Sequence, residues 1–209
     1  MRILFFGDSI TDMARDRKYN DLIYGQGVGY VNLIASELKY SDPVNFEVIN
    51  RGISGNRIVD LYARVKSDVW NFNPDVLSIL IGINDIWHEI GDFNGVDIER
   101  FEKMYRILLE DTKKRLPNVK IMLLEPFFLV GSATKEHIEE FSKVKEYAKV
   151  VKKLANEFDC AFVPLQDKFD EVAKKFGAEY YLYDGVHPDS AGAKLIANEW
   201  LKIFDKDIK

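Results

Sequence analysis

The chain has 209 residues, of which 47% are hydrophobic and 30% are charged, and its formal net charge at pH 7 is −5. This balance is typical of a soluble globular protein rather than of a disordered segment. The negative net charge and the lack of a basic stripe argue against nucleic acid, polyanionic substrates and anionic membrane surfaces as partners. The one cysteine, Cys160, excludes an intrachain disulfide and a cysteine-based metal site.

The chain begins with a short apolar run, residues 3–6, which ends at Gly7-Asp8. This run is far shorter than the apolar region of a signal peptide. No stretch reaches the roughly 20 apolar residues that span a membrane, so we expect a cytoplasmic protein. The length fits a single domain covering residues 1–209, because domains usually contain ~100–200 residues.

Short apolar segments alternate with longer segments of helical periodicity along the chain. The predicted strands cover residues 3–6, 46–49, 76–81, 119–124 and 161–163. The predicted helices cover residues 29–38, 57–71, 97–116, 135–158, 167–176 and 190–204. Within one of these helices, Val144, Tyr147 and Val151 recur at spacings of three and four, as in an amphipathic helix.

Apolar strands that alternate with helices are typical of a parallel sheet covered by helices on both faces. We therefore predict an α/β protein with three layers and a flavodoxin-like fold, whose five-stranded parallel sheet has the order 2-1-3-4-5. In this order strand 1 lies between strands 2 and 3, so the loops after these three strands meet. Ligands bind at the carboxyl ends of the strands at such a switch point.

Candidate functional residues follow each of these three strands. Ser9 follows strand 1, Gly55 lies in the loop after strand 2, and Asn84 follows strand 3. Asp184 and His187 stand three residues apart before the last predicted helix. Each signal alone has an ordinary structural explanation, such as a helix cap, a turn or a core histidine. Their combination points to nucleophilic acyl transfer.

The chemistry of acyl transfer needs these residue types. A serine hydroxyl is a weak nucleophile that needs a base within hydrogen-bond reach, and neutral histidine accepts a proton near pH 7. A carboxylate on the other ring nitrogen orients the histidine, and Asp184 lies close enough to His187 within a glycine-containing turn. The N–H groups of Ser9 and Gly55 and the amide of Asn84 are candidate donors to an oxyanion.

The same segments resemble the SGNH hydrolases, also called GDSL esterases, over the whole chain. The similarity lies in four blocks, which are Gly7-Asp8-Ser9, Asn50 to Gly55, Gly82-Ile83-Asn84-Asp85 and Asp184-Gly185-Val186-His187-Pro188. The resemblance implies that Ser9 is the nucleophile and first oxyanion donor. It also implies that Gly55 and Asn84 complete the oxyanion hole and that Asp184 and His187 complete the triad.

Within that family, residues 27–31, 52–56 and 81–87 look like the corresponding segments of cytoplasmic acetylxylan esterases. The resemblance implies a homo-oligomer that removes acetyl groups from short xylo-oligosaccharides or related carbohydrates. No cluster of His, Asp and Glu in the sequence has metal-ligand spacing, so we expect no metal and no cofactor, and we expect small-molecule or oligosaccharide esters as partners. A lysophospholipase or a thioesterase on the same four blocks is the alternative within the family.

A non-catalytic flavodoxin-like domain is the alternative from a different class. In a phospho-receiver signalling domain, Asp8 and Asp85 would supply the acidic residues after strands 1 and 3. Such a domain also has a lysine after strand 5, where this chain has residues 164–166, Pro-Leu-Gln. It would leave Asp184 and His187 unexplained. A catalytically inactive binding protein with the SGNH fold is the other alternative without enzymatic activity.

Aromatic residues stand beside the candidate site in the sequence. Trp87, assigned to the loop after strand 3, and Tyr183 each neighbour a catalytic candidate. Because aromatic faces suit the apolar faces of sugar rings, we predict that both residues bind substrate. A role in the pocket stays open for His88, Glu125, Phe127 and Phe128.

Overall fold

The computed structural model of the protein describes residues 1–208 and has a five-stranded sheet at its centre. The strands are β1 (Arg2–Gly7), β2 (Glu47–Asn50), β3 (Val76–Leu80), β4 (Lys120–Leu124) and β5 (Ala161–Val163). Each neighbouring pair is parallel, and the order is β2-β1-β3-β4-β5. The predicted strand order is confirmed, and β1 lies between β2 and β3.

Helices follow the strands in chain order. They are α1 (Ser9–Asp12), α2 (Ile23–Gln26), α3 (Tyr30–Ser41), α4 (Ile58–Asp68), α5 (Ile83–Asp92), α6 (Ile98–Arg115), α7 (Ile138–Ser142), α8 (Val144–Glu157), α9 (Gln166–Phe176) and α10 (Ser190–Asp207). Across residues 1–208, none of the helices combines the length and the apolar character needed to span a membrane.

Two neighbouring residues of β1 show how both faces of the sheet are covered. Phe5 packs against Tyr30 of α3 and Trp200 of α10, with ring centroids 5.8 and 5.2 Å away. Phe6 lies under the guanidinium group of Arg64 on α4, 4.3 Å from its ring centroid. Because successive side chains of a strand point to opposite faces, α3 and α10 cover one face and α4 covers the other. The predicted three-layer arrangement is confirmed.

Helices α1 and α2 lie outside the predicted elements, and two longer segments also differ from the prediction. Residues 83–92, assigned to a loop from the sequence, form helix α5. The predicted helix at 135–158 is divided into a 3-10 turn, helix α7 and helix α8. Near the division, the Ser142 hydroxyl donates to the Ile138 carbonyl at 2.6 Å. Such a bond from a serine to the preceding turn competes with the helical backbone and often bends a helix.

Candidate active site

The carboxyl ends of β1, β2 and β3 meet at one edge of the sheet, and the candidate residues gather there. Ser9 is the first residue of α1, directly after β1. Gly55 lies in the turn after β2, and Asn84 lies in the first turn of α5, after β3. Asp184 and His187 come from the loop between α9 and α10. The structure therefore brings all five predicted residues to the same edge of the sheet.

Three side chains form a continuous hydrogen-bonded chain. The Ser9 Oγ atom lies 2.9 Å from Nε2 of His187. The other ring nitrogen, Nδ1, lies 2.6 Å from Oδ2 of Asp184. The second carboxylate oxygen of Asp184 accepts the backbone N–H groups of Val186 and His187, both at 2.8 Å. These backbone bonds fix the carboxylate, which in turn orients the imidazole toward Ser9.

The contacts among Ser9, His187 and Asp184 shift the pKa values of Asp184 and His187 in opposite directions. Burial raises the pKa of Asp184, but hydrogen bonds from His187 and Val186 outweigh it, so the pKa lies below its ordinary value of 3.8. The hydrogen bond that His187 donates to the Asp184 carboxylate raises the pKa of His187 above 6.5, against the opposing effect of burial. The imidazole of His187 is thus more basic than a free histidine.

The turn after β2 holds Gly55 close to α5. Its backbone closes through the Asn56 N–H, which donates to the Ile53 carbonyl at 3.2 Å. The φ angle of Gly55 is +81°, in the left-handed region that favours glycine. The side-chain amide of Asn84 donates to the Asn56 carbonyl at 3.1 Å. This bond ties the first turn of α5 to the turn that contains Gly55.

Two backbone N–H groups at this edge, those of Ser9 and Gly55, have no protein acceptor within residues 1–208. The first N–H groups of a helix lack an internal partner, and Ser9 begins α1. The next N–H group, that of Ile10, is taken by the Asp8 carboxylate at 3.0 Å. Unused N–H donors beside a serine hydroxyl are the groups that stabilise a developing oxyanion.

Two further polar side chains, for which no role was predicted, fix these loops. Asp12 accepts the N–H and the hydroxyl of Ser54 at 3.0 and 3.2 Å. Asn50 donates to the Thr11 carbonyl at 2.6 Å and accepts the Gly52 N–H at 2.8 Å. A Cβ atom on Gly52 would lie 2.3 Å from the nitrogen of Asp12, so only glycine fits this close approach. In the sequence, the roles of Asp12 and Asn50 are indicated only by their positions, since Asn50 lies within one of the four blocks and Asp12 lies shortly after another.

Aromatic rings flank the imidazole of His187. The Tyr183 ring stacks on it, with centroids 5.8 Å apart and planes 16° apart, and Tyr183 is 56% exposed. The Trp87 ring lies 5.9 Å from the imidazole and packs edge-on against Phe141. Trp87 and His88 lie on helix α5 and not on a loop, and both are half-buried. The predicted substrate-binding pair thus borders the hydrogen-bonded chain.

Three residues that the sequence left open lie in the core or support it. Phe127 and Phe128 are buried and pack against Phe169 and Phe141, with ring centroids 4.4 and 6.1 Å apart. The Glu125 carboxylate accepts two backbone N–H groups at the start of α9, at 2.6 and 2.9 Å. These contacts give all three residues structural roles in the molecule.

Two buried carboxyl groups lie beside the site without an ion-pair partner. Asp8 and Asp85 each use one oxygen to accept a backbone N–H, from Ile10 and Ile58, both at 3.0 Å. The other oxygen of each has no hydrogen-bond partner within residues 1–208. Burial raises the pKa of Asp8 to about 7 and that of Asp85 to about 8. Both carboxyl groups therefore keep a proton far above the usual range of an aspartate.

A cavity of about 470 Å³ lies between α5, α6 and α8, apart from Ser9. Its apolar lining residues include Ile86, Ile90, Val96 and Tyr147. The hydrogen-bonded chain lies outside this cavity and is half-buried at the surface. In the part of the chain that the structure describes, no group of three or more His, Cys, Asp or Glu side chains is placed to hold a metal ion. The expectation that no metal or cofactor takes part stays a prediction.

Comparison with known proteins identifies the family. The sequence model of the GDSL-like lipase/acylhydrolase family matches residues 5–195. The chain therefore belongs to this family, and the resemblance found in the four blocks is confirmed. The acetylxylan esterase of Geobacillus stearothermophilus is 36% identical over 208 residues, which cover 96% of this chain and 92% of that protein.

Solved structures agree with this family. A GDSL-like lipase from Parabacteroides merdae matches with a TM-score of 0.92 and 41% identity, covering 98% of this chain and 95% of that chain. Axe2, an acetylxylan esterase from Geobacillus stearothermophilus, matches with a TM-score of 0.86 and 36% identity, covering 97% of this chain and 93% of that chain. The protein is thus a carboxylic ester hydrolase of the GDSL type with the SGNH hydrolase fold.

The raised pKa of His187 can be measured by proton NMR, because the chain has three histidines. We expect the His187 ring protons to titrate above 6.5. We expect Asp184→Asn to lower this pKa, because the substitution removes the negative charge that stabilises the imidazolium. The spectrum of His187→Gln assigns the signal. An unchanged His187 pKa in Asp184→Asn would contradict the electrostatic coupling.

The raised pKa of Asp8 makes stability depend on pH. The contribution of Asp8 is fully present below its unfolded pKa of about 3.8 and is lost as the pH rises through its folded pKa of about 7. Asp8→Asn keeps the capping oxygen and mimics the protonated acid. We expect equal stability near pH 4 and a gain of about 4 kcal/mol near pH 8, since one pKa unit corresponds to ~1.36 kcal/mol.

Urea unfolding of both proteins at several pH values measures this difference in the free energy of unfolding. The other titrating groups are common to both proteins, and the difference therefore reports Asp8 together with the effect of its charge on Asp85 and His187. A difference that stays constant between pH 4 and pH 8 would show that Asp8 is ionised over the whole range.

Proposed function

We propose that the protein is an acetylesterase that removes O-acetyl groups from xylo-oligosaccharides or related carbohydrates through a covalent acetyl-enzyme. One observation carries the proposal. The Ser9 hydroxyl lies 2.9 Å from an imidazole that is itself 2.6 Å from a carboxylate. The candidate oxyanion donors at this site are the N–H groups of Ser9 and Gly55, which have no protein acceptor within residues 1–208.

In the first step, His187 Nε2 takes the proton of the Ser9 hydroxyl while Oγ attacks the carbonyl carbon of the acetyl ester. Asp184 holds the imidazole in the required tautomer and stabilises the imidazolium that forms. The tetrahedral intermediate collapses when His187 gives its proton to the departing sugar oxygen. Oγ of Ser9 then carries the acetyl group, and the sugar leaves with a free hydroxyl.

In the second step, water replaces the sugar alcohol. His187 accepts a proton from the water molecule, whose oxygen attacks the acetyl carbonyl carbon. When the second tetrahedral intermediate collapses, His187 gives this proton to Oγ of Ser9 and acetate is released. In both steps the oxyanion accepts hydrogen bonds from the N–H groups of Ser9 and Gly55 and from the Asn84 amide. Each such donor contributes roughly 10²–10³-fold to the rate in comparable sites.

The rings beside His187 support a carbohydrate as the alcohol half of the ester. Tyr183 and Trp87 both lie within 6 Å of the imidazole that protonates the departing oxygen. Tyr183 is mostly exposed, so its free edge and face can pack against a sugar ring that enters from solvent. Bulky rings at this position also restrict the length of an acyl chain.

A relative supports the assignment of the triad. Catalytic mutants of the Geobacillus stearothermophilus esterase Axe2 carry alanine in place of a serine, a histidine or an aspartate. The aspartate and the histidine are three residues apart in that protein, as Asp184 and His187 are in this chain. That protein is described as an acetylxylan esterase and an acetyl-xylooligosaccharide esterase, the substrate class that we propose here.

Replacing Ser9 tests the proposed nucleophile. We expect Ser9→Ala to lower kcat for p-nitrophenyl acetate on the order of 10⁶-fold, as found for nucleophile removal in serine hydrolases. Ser36→Ala is the matched control, because Ser36 is an exposed residue of α3 whose hydroxyl bonds only to the Asn32 carbonyl. Activity of Ser9→Ala near that of the control would reject the mechanism.

A series of acyl chain lengths tests the proposed substrate. We expect kcat/KM for p-nitrophenyl esters to be highest for acetate and to fall steeply by hexanoate, since each methylene changes the fit by ~1–3 kcal/mol. Acetylated xylo-oligosaccharides are expected to be good substrates. A maximum at octanoate would favour a lipase or lysophospholipase, and faster turnover of acyl thioesters would favour a thioesterase. Either result would reject the carbohydrate proposal while leaving the hydrolase intact.

We also propose that the protein is a homo-oligomer of the cytoplasm. Apolar side chains of Leu22, Ile23, Tyr24 and Val28 are exposed within a short segment, and contiguous exposed apolar surface often marks an interface. The single cysteine needs no oxidising compartment. We expect light scattering to give a multiple of the monomer mass and Ile23→Glu to reduce it. A wild-type monomer at micromolar concentration would contradict the proposal.

A further inference from the structure

His88 lies beside the site but has no role in the proposed mechanism. It is half-buried in the second turn of α5. Residues four apart on a helix lie on the same face, one turn above the other. The side chain of His88 therefore stands next to that of Asn84, and Trp87 is its neighbour on the same turn. One face of α5 thus presents these three side chains to the site.

The imidazole of His88 borders the turn that contains Gly55. A Cβ atom built on Gly55 would lie 3.9 Å from Nε2 and 4.0 Å from Cε1 of His88, and within residues 1–208 no other heavy atom beyond Gly55 and its two chain neighbours comes within 4 Å of it. The edge of the imidazole that carries Nε2 therefore lies beside the turn that contains the candidate oxyanion donor.

No protein group within residues 1–208 forms a hydrogen bond with the His88 ring. His88 interacts electrostatically with the Asp60 carboxylate. This carboxylate accepts the N–H and the Nε–H of Arg57, both at 2.9 Å. The ring nitrogens of His88 are thus free to bind a ligand at a half-buried position.

We propose that His88 is a specificity-determining residue that hydrogen-bonds a sugar hydroxyl next to the acetyl ester; this rests on the proposed carbohydrate substrate. A hydroxyl can donate to or accept from a neutral imidazole nitrogen, whereas the methyl group of an acetyl chain offers nothing to a polar ring edge. Trp87, which borders His187, lies directly beside His88 on α5. The apolar ring would support the face of the sugar while His88 binds its edge.

Two substrates that share the acetyl group and differ in the alcohol test this role. p-Nitrophenyl acetate has no hydroxyl beside its ester, whereas an acetylated xylo-oligosaccharide has several. We expect His88→Leu to lower kcat/KM for the oligosaccharide about tenfold, the effect of one lost hydrogen bond of about 1.4 kcal/mol. For p-nitrophenyl acetate we expect a change of less than about twofold. His88→Gln, which keeps a donor and an acceptor near the Nε2 position, is the matched control and should retain most of the oligosaccharide activity.

Other results would contradict either the role of His88 or the proposed substrate, and they can be told apart. Equal losses on both substrates in His88→Leu would mean that His88 supports the oxyanion turn, and would overturn the proposed role. A gain on butyrate or hexanoate esters would place His88 at the wall of the acyl pocket instead, with the same consequence. Wild-type activity on p-nitrophenyl acetate without activity on the oligosaccharide would overturn the proposed substrate, and the role of His88 with it.

Discussion

The hydrogen bond between Ser9 Oγ and His187 Nε2 joins residues 178 positions apart, one just after the first strand and one before the last helix. Its geometry depends on how α10 packs on the sheet. Trp200 of α10 is fully buried, packs on Phe5 of β1, and donates its indole N–H to the Ser78 hydroxyl of β3 at 3.0 Å. A shift of α10 along the sheet would separate His187 from Ser9, so core packing and catalytic geometry are coupled.

The loop that carries Asp184 is also held in place by hydrogen bonds from the segment that follows β4. The Ala133 N–H donates to the carbonyl of Asp184 at 2.9 Å, and the Leu129 N–H donates to the carbonyl of Gly185 at 2.8 Å. A Cβ atom on Gly185 would lie 2.6 Å from the Leu129 carbonyl oxygen, and its φ angle is +99°. Glycine is therefore required for the close contact that holds the carboxylate in place.

The sheet could be predicted because its strands are apolar along nearly their whole length. The meeting of the five candidate residues could be predicted because each follows a strand or precedes a helix. Helix α5 was missed since Asn84 and its polar neighbours look like a turn, although Ile83, Ile86 and Ile90 follow a helical spacing. The hydrogen bonds of Asp12 join loops that are distant in the sequence. Such contacts, like the raised pKa values of buried carboxyl groups, depend on packing that no local pattern contains.

The nucleophilic character of Ser9 is the centre of this account, and covalent labelling measures it directly. An organophosphate ester phosphorylates an activated serine, and mass spectrometry of the digested protein locates the modification. The account predicts one label, on the peptide that contains Ser9, with loss of esterase activity in proportion to labelling. It also predicts no labelling of His187→Ala, whose serine hydroxyl has no base. Complete inactivation with the label on a different residue would contradict the account.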